Sequence, residues 1–491
     1  MLDDLGQQRG LPDARFAGDD DGDQAVAVYP RDRLDDKPQL VRAPDHDPST
    51  SDDRTSRNTL RKHDSPRHGN RWCDGARGEK EADMPVKGTC VPAFAEVRAQ
   101  FERNLAERGE VGASVHVTVD GSTVVDLWGG LADPSTGRTW QRDTLVHVWS
   151  CTKGATALCA HILADRGELD LNAPVVRYWP EFGKAGKDGV LVRHLLNHQA
   201  GLPAVRDPLA SGAFYDWDTM VDTLAGQDPF WRPGTRNGYH ALTFGFLVGE
   251  VIRRVTGQSL GAFFRHEVAE PLGLDFWLGL PAEHEPRVSP TIPADLTAPG
   301  VLVPSFTVAA VTDPASVAGL VVFNNGGYML PGESDSRAAH AADLGAMGGM
   351  TNAAGLAGMY RPLAVGGAVG GVRIVGEDQI AVMSAVSSAS GVDAVIGVPT
   401  RFALGFVKSV DNRYLPLADQ EGILLSEGAF GHVGFGGSLG FADPGARLSF
   451  GYAMNQQGPG IGVNERGQAL VDATYRAIGH RRPAGGGIWR P

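Results

Sequence analysis

Val148-Trp149-Ser150-Cys151-Thr152-Lys153 opens the stretch VWSCTKGATALCAHILADRG, residues 148–167, and the reading of this stretch decides the fold. Small and apolar residues run on from Gly154 with helical spacing, and Gly167 stands where a helix C-cap belongs. The pattern predicts a helix from about Ser150 to Arg166. Ser150 and Lys153 are three apart, so they share one face of its first turn. A serine hydroxyl is a weak nucleophile until a neighbour takes its proton, and a lysine amine can do so once burial lowers its pKa. The helix N-terminus favours a developing alkoxide over an ammonium, and its N–H groups suit an oxyanion. The plainer reading is a helix cap followed by a surface lysine. The apolar flank of Val146, Val148, Trp149 and Ala155 argues for burial instead. Lysine is scarce, eight residues against 37 arginines, and only Lys153 has a serine three before it. Arginine cannot replace it as a base, because it does not give up its proton.

Outward from this helix the chain changes character twice. AFAEVRAQFERNLAERGE (93–110) has helical spacing, with Phe94, Val97, Phe101 and Leu105 on one face. SVHVTVDGSTVVDLWGG (114–130) is two alternating runs about Asp120-Gly121, a hairpin pattern. Beyond residue 170 come proline-rich segments with short helical patterns. VLVRHLLNHQAGLP (190–203) predicts a helix ending near Gly201, and ALTFGFLVGEVIRRVTG (241–257) predicts one ending at Gly257. Periodicity is weak from about Glu283 to Asp343, which predicts long loops. GAFGHVGFGG, SLGFAD and ARLSFGYAMN then read as short strands, with Asp443-Pro444-Gly445 turning between the last two, and GQALVDATYRAIGH closes as an amphipathic helix. Strands at both ends and helices between them predict a mixed α/β (α+β) fold. Its antiparallel sheet is flanked by the terminal helices, with a mainly helical lobe inserted over about 165–340.

Length and composition narrow the function. A chain of 491 residues with 42% apolar and 21% charged residues has the balance of a globular protein with more than one lobe. A net charge of -13 argues against nucleic acid as partner. No apolar run approaches the length of a membrane span. The opening MLDDLGQQRG lacks the apolar stretch of a secretory signal. Cys73, Cys90, Cys151 and Cys159 show neither CxxC pairing nor zinc spacing, and a reduced, cytoplasmic setting is expected. Residues 1–85 carry 19 acids and 14 bases without apolar periodicity, which predicts a disordered leader. Met84 at its end is an alternative start. The globular domain is expected over 86–482, with a short tail over 483–491.

Two further pieces carry chemistry. Tyr239, in WRPGTRNGYHALTFGF, precedes a helix, and a phenol there can act as a second base beside a Ser/Lys pair. Read alone it is a packing tyrosine. His432-Val433-Gly434, in FGHVGFGGSLGF, sets a cation or proton donor on a strand, followed by a small residue that lets the strand run close to a substrate. The N–H of Phe435 is then placed to complete an oxyanion hole.

In this order and at these separations, the three pieces resemble the active site of class C β-lactamases, D-Ala-D-Ala carboxypeptidases and their esterase relatives. That pattern is Ser-x-x-Lys, then Tyr-x-Asn or Tyr-Ser, then Lys/His-Thr-Gly. GELDLNAPVVRYWPEF, WRPGT, LVGEVIRRVTG and EPLGLD are similar to landmarks of the same superfamily, and the resemblance spans about residues 93 to 480. It implies a β-lactamase/transpeptidase-like fold. Ser150, Lys153 and Tyr239 would be catalytic, and Phe435, His432 and Gly434 would lie at the oxyanion hole and substrate. No metal or cofactor is implied. The chain departs from the pattern at Ala241, where the family has Asn, and at His432 and Val433, where it has Lys and Thr. These changes weaken the grip on an anionic β-lactam and resemble the family VIII carboxylesterases. The expectation is an acyl-enzyme at Ser150 on small short-acyl esters or lactones, with a small-molecule ester as partner. A weak β-lactamase or D-amino-acid peptidase is the alternative, and a low-turnover binding or assembly module is the alternative of another class. Lys153 and Tyr239 titrate as a pair, so the base stays open between them.

Other readings of the same segments are weaker. Gly436-Gly437-Ser438-Leu439-Gly440 fits the nucleophile elbow G-x-S-x-G, but that elbow needs a helix after the turn and a strand is predicted here. His194 and His198 fall at i and i+4 of a predicted helix, without a third metal ligand. Cys151 reads as a small packing residue behind the serine.

Overall fold

The computed structural model describes residues 85–483 and 487–491, and the predicted leader lies outside the described residues up to residue 84. Strand β1 (Lys87–Cys90), helix α1 (Ala95–Glu107) and the hairpin β2 (Gly112–Val119) and β3 (Ser122–Asp133) come first. Asp120 and Gly121 turn the hairpin at φ of 49° and 71°, both in the left-handed region that a tight two-residue loop requires. The chain then leaves for helix α2 (Thr152–Asp165) and a mainly helical stretch that includes α3 (Phe244–Thr256). It returns through α4 (Ala353–Ala364), strands β4 (Phe430–Val433), β5 (Leu439–Asp443) and β6 (Leu448–Met454), and helix α5 (Glu465–Ala477).

Both ends of the domain build one sheet. Its order is β1-β3-β2-β6-β5-β4, every neighbouring pair is antiparallel, and Arg138–Thr139 adds to β3 as the seventh strand. The seam joins β2 to β6, with Val115 opposite Tyr452 and Val117 opposite Phe450. Alternation sorts the two faces. Val115, Val117, Leu127, Phe441, Phe450 and Tyr452 bury against Val97 and Phe101 of α1 and Leu470 and Val471 of α5. The intervening residues face α4, where Ser114 Oγ accepts the Ala353 N–H at 3.3 Å.

Glycine sets the distance on that second face. A Cβ on Gly451 would stand 2.2 Å from the Ala353 carbonyl oxygen, and one on Gly440 2.9 Å from the Tyr360 ring. Helix α2 meets α4 in the same way, since a Cβ on Gly154 would lie 2.2 Å from the Tyr360 hydroxyl. Sheet, α4 and α2 are therefore stacked at backbone distance, which holds the first turn of α2 against the β4 edge.

Two stretches differ from the sequence expectation. The helix expected to end near Gly201 spans only Val192–Leu196, because His198 turns to φ 62°. The region from 283 to 343 holds helices Ser305–Thr312, Val317–Phe323 and Arg337–Ala341 where long loops were expected. Their apolar residues do not form one buried stripe, since Val308, Val311 and Phe323 are 51%, 63% and 55% exposed. The tail is docked at its end, with the Trp489 N–H donating to Leu425 O at 3.0 Å and its ring stacked on Tyr475. Among the described residues no single helix is long and apolar enough to cross a membrane, and only the pair Ser305–Thr312 and Val317–Phe323, bent by 88°, meets the measure taken together.

Candidate active site

Helix α2 starts at Thr152, two residues later than predicted, and leaves Ser150 in the turn ahead of it. Trp149 makes that turn at φ 47°, a left-handed conformation strained for a bulky aromatic. Thr152 Oγ1 donates to Trp149 O at 2.5 Å, and the indole packs on His147 at 4.3 Å and edge-on to Phe435 at 5.5 Å. The result is an asymmetry one helical turn deep: Ser150 is partly exposed, and Lys153 beneath it is fully buried.

Three oxygens surround the amine. Lys153 Nζ lies 3.0 Å from Ser150 Oγ, 2.7 Å from Ala241 O and 2.9 Å from Ala346 O, and 4.9 Å from the centre of the Tyr239 ring. Burial holds its pKa well below lysine's ordinary 10.5. Tyr239 is anchored through its backbone, whose N–H donates at 3.0 Å to Oδ1 of the buried Asp393. The same oxygen accepts the N–H groups of Val395 and Ile396, so one carboxyl fastens the Tyr239 loop to the 393–396 turn. Burial pushes the Tyr239 phenol up, against a weaker pull from the Ser150 hydroxyl.

His432 is buried on β4 with Nδ1 2.9 Å from Val433 O. A carbonyl only accepts, so Nδ1 carries the hydrogen and Nε2 presents a lone pair, which bonds no described residue. Burial, and next the charge of Lys153, lower its pKa to about 3. The ring is thus a neutral acceptor, where the sequence had suggested a cation or proton donor. Gly434 serves a close approach of another kind than expected. A Cβ there would stand 2.3 Å from Val148 O, so the glycine lets β4 end against the nucleophile's own backbone. Neither the Ser150 N–H nor the Phe435 N–H meets a backbone acceptor among the described residues.

The competing motifs separate from this centre. Ser438 is buried in the turn from β4 to β5, its hydroxyl bonds no described residue, and a strand follows where an elbow needs a helix. His198 lies past the end of its helix, and its Nδ1 accepts the His240 N–H at 3.1 Å, so it does not share a helix face with His194. Cys151 Sγ sits 3.3 Å from both His432 O and Ser438 O, and burial raises its pKa. It packs α2 onto the β4–β5 turn. Sequence reasoning missed the Ala241 and Ala346 carbonyls and Asp393. A backbone carbonyl has no signature in sequence, and Asp393 lies 154 residues from the tyrosine it holds.

Ser150 opens into a cleft of about 310 Å³ whose walls include Trp149, Leu242, Phe306, Val322, Met329 and Phe435. A serine in a strained turn, a sealed amine behind it and a strand edge alongside, on this sheet order, mark the serine hydrolases of β-lactamase fold. The comparisons agree. A family model described as beta-lactamase matches residues 97–474, and the chain belongs to that family. Esterase/beta-lactamase LipL of Mycobacterium tuberculosis is 33% identical over 383 residues, 77% of this chain and 84% of that protein. The crystal structure of a family VIII carboxylesterase matches with a TM-score of 0.69 at 40% identity, covering 80% of this chain and 100% of that one. EstA from Arthrobacter nitroguajacolicus matches with a TM-score of 0.69 at 34% identity, covering 81% and 99%. Within its family the chain is a serine hydrolase of the esterase type.

Proposed function

We propose that the protein is a carboxylesterase that cleaves short-acyl esters or lactones through an acyl-enzyme at Ser150. The observation that carries this reading is the set of partners around Lys153. A neutral amine has two N–H donors and one lone pair. Ala241 O and Ala346 O can only accept and use both donors. The lone pair is left for the Ser150 hydroxyl, 3.0 Å away. The geometry therefore supports Lys153 as the base, with Tyr239 kept protonated by its raised pKa.

In the proposed sequence, Ser150 Oγ attacks the ester carbonyl carbon as its proton passes to Lys153. The N–H groups of Ser150 and Phe435 hold the oxyanion. The bond to the leaving alkoxide breaks, Tyr239 protonates that alkoxide, and the phenolate regains a proton from the Lys153 ammonium. Water then attacks the acyl carbon by the reverse order of steps and releases the acid. The apolar walls of the cleft favour a short acyl group over a charged one.

Hydrolysis of p-nitrophenyl acetate and butyrate tests the reading. Ser150→Ala is expected to lose about 10³-fold or more in kcat, while Ser438→Ala keeps its turnover. Full activity in Ser150→Ala sinks the mechanism. The double name of LipL supports a second reading, a residual β-lactamase. A neutral His432 and Val433 offer an antibiotic carboxylate no fixed cation, so a chromogenic cephalosporin is expected to turn over more slowly than the acetate.

A further inference from the structure

A second cleft opens beside the first. It is narrow, about 70 Å³, with apolar walls that include Ile396, Phe402, Val410 and Ile461. Tyr239, Val433 and Ile461 line both clefts, so the two meet at the phenol. One unpaired acid interrupts the apolar lining of the narrow cleft. Glu421 Oε2 accepts the Gly462 N–H at 3.0 Å, and Oε1 bonds no described residue. The fit is close, since a Cβ on Gly460 would stand 2.0 Å from Oε2. The other charged group of the cleft is engaged elsewhere: Arg401 pairs with Glu427 at 2.7 Å and donates to Ser409 O at 2.9 Å. Arg466 acts on Glu421 through space, but its guanidinium bonds Glu110 at 3.0 Å.

A half-buried carboxylate with a single N–H donor is under-compensated, and a cation or hydrogen-bond donor arriving in the cleft restores the balance. Burial pushes Glu421 up to about 7, which marks the same deficit. The cleft also begins at Tyr239, the group that hands a proton to the departing alkoxide in the proposed mechanism. We infer that this cleft receives the leaving alcohol of the ester and that Glu421 selects alcohols bearing a protonated amine. The inference rests on the Ser150 esterase reading and adds the chemistry of the leaving group to it.

The test compares two acetates of equal shape, N,N-dimethylaminoethyl acetate and 3-methylbutyl acetate, near neutral pH. Wild-type protein is expected to favour the amine ester by about tenfold in kcat/KM, the worth of one charge-assisted contact. In Glu421→Gln, which still accepts the Gly462 N–H, the ratio is expected to fall to about one. Inhibition by the free alcohols gives the same comparison in wild-type protein, with N,N-dimethylaminoethanol binding tighter than 3-methylbutanol. A wild-type ratio near one, or a preference that survives Glu421→Gln, overturns the inference and leaves the esterase reading standing. Turnover of both acetates by Ser150→Ala overturns that reading, and the inference with it.

Discussion

Lys153 and Lys187 are both sealed in the core, and each amine is ringed by three oxygens. Around Lys187 these are the carbonyls of Lys184 at 2.8 Å, Ala225 at 3.0 Å and Gln227 at 2.6 Å. Around Lys153 they are two carbonyls and the Ser150 hydroxyl. Burial lowers the pKa of both. The third partner makes the difference. Three carbonyls need three N–H donors, so Lys187 is held as an ammonium that pins Pro180–Gly186 to the end of helix Trp217–Gly226. A hydroxyl can donate, so Lys153 can give up a proton and still satisfy every neighbour. Burial depresses an amine, but its partners decide whether it becomes a base or a rivet.

Exchanging each lysine for methionine sharpens this contrast most. Lys153→Met is expected to cut kcat on p-nitrophenyl acetate by about 10³-fold, the range of a lost general base. Lys187→Met is expected to leave kcat per folded molecule near the wild-type value. It should lower stability by about 2 kcal/mol in denaturant titrations, because the buried Ala225 carbonyl and the part-buried carbonyls of Lys184 and Gln227 lose their donor. Equal losses of kcat in the two variants would break the comparison. A smaller effect is expected at the phenol. In Tyr239→Phe the acylation rate should fall by about 10²-fold for poor leaving groups, with less loss for p-nitrophenol, which needs no proton to depart.

The smallest effect is in pH. Below its lowered pKa Lys153 regains a proton, loses its lone pair, and kcat/KM falls; above it the profile is flat. His432 and His240, both lowered to about 3, and His198, lowered well below its ordinary value, are neutral near pH 7 and add no limb there. Running the profile in Glu421→Gln protein removes the neighbouring carboxyl that titrates at about 7. Stability carries the same signature. Between the lowered pKa and 10.5 the unfolded lysine binds a proton that the folded one does not, so stability rises with pH over that window. Lys153→Met should abolish its share of that rise.

Much of this was legible before any coordinates. The Asp120-Gly121 hairpin, the strands after residue 428 and the Gly257 cap follow local rules, and the structure has them where those rules place them. Ser150 and Lys153 are also brought together, with Ser150 just ahead of the helix instead of in its first turn. What escaped depends on contacts across the chain. The helix at 192 stops early because His198 serves His240 instead of its own helix. The helices between 305 and 341 lack a one-sided apolar stripe because some of their apolar residues stay in the open. The charge of His432 could not be read from its place on a strand, since it is set by burial and by Lys153.

The glycines under α4 have a consequence for heredity. A base change at either of the first two positions of a glycine codon yields a residue with a side chain or a stop, and at 451 even alanine would press a carbon to 2.2 Å from a main-chain oxygen. Neither the strand nor the helix can yield alone, because each is fastened to the other along its length. Drift and laboratory libraries meet the same wall there, and a lineage can cross it only by moving helix and sheet together. The cleft walls built from 293 to 329 stand outside that seam, and they are where a descendant of this chain has room to acquire a new substrate.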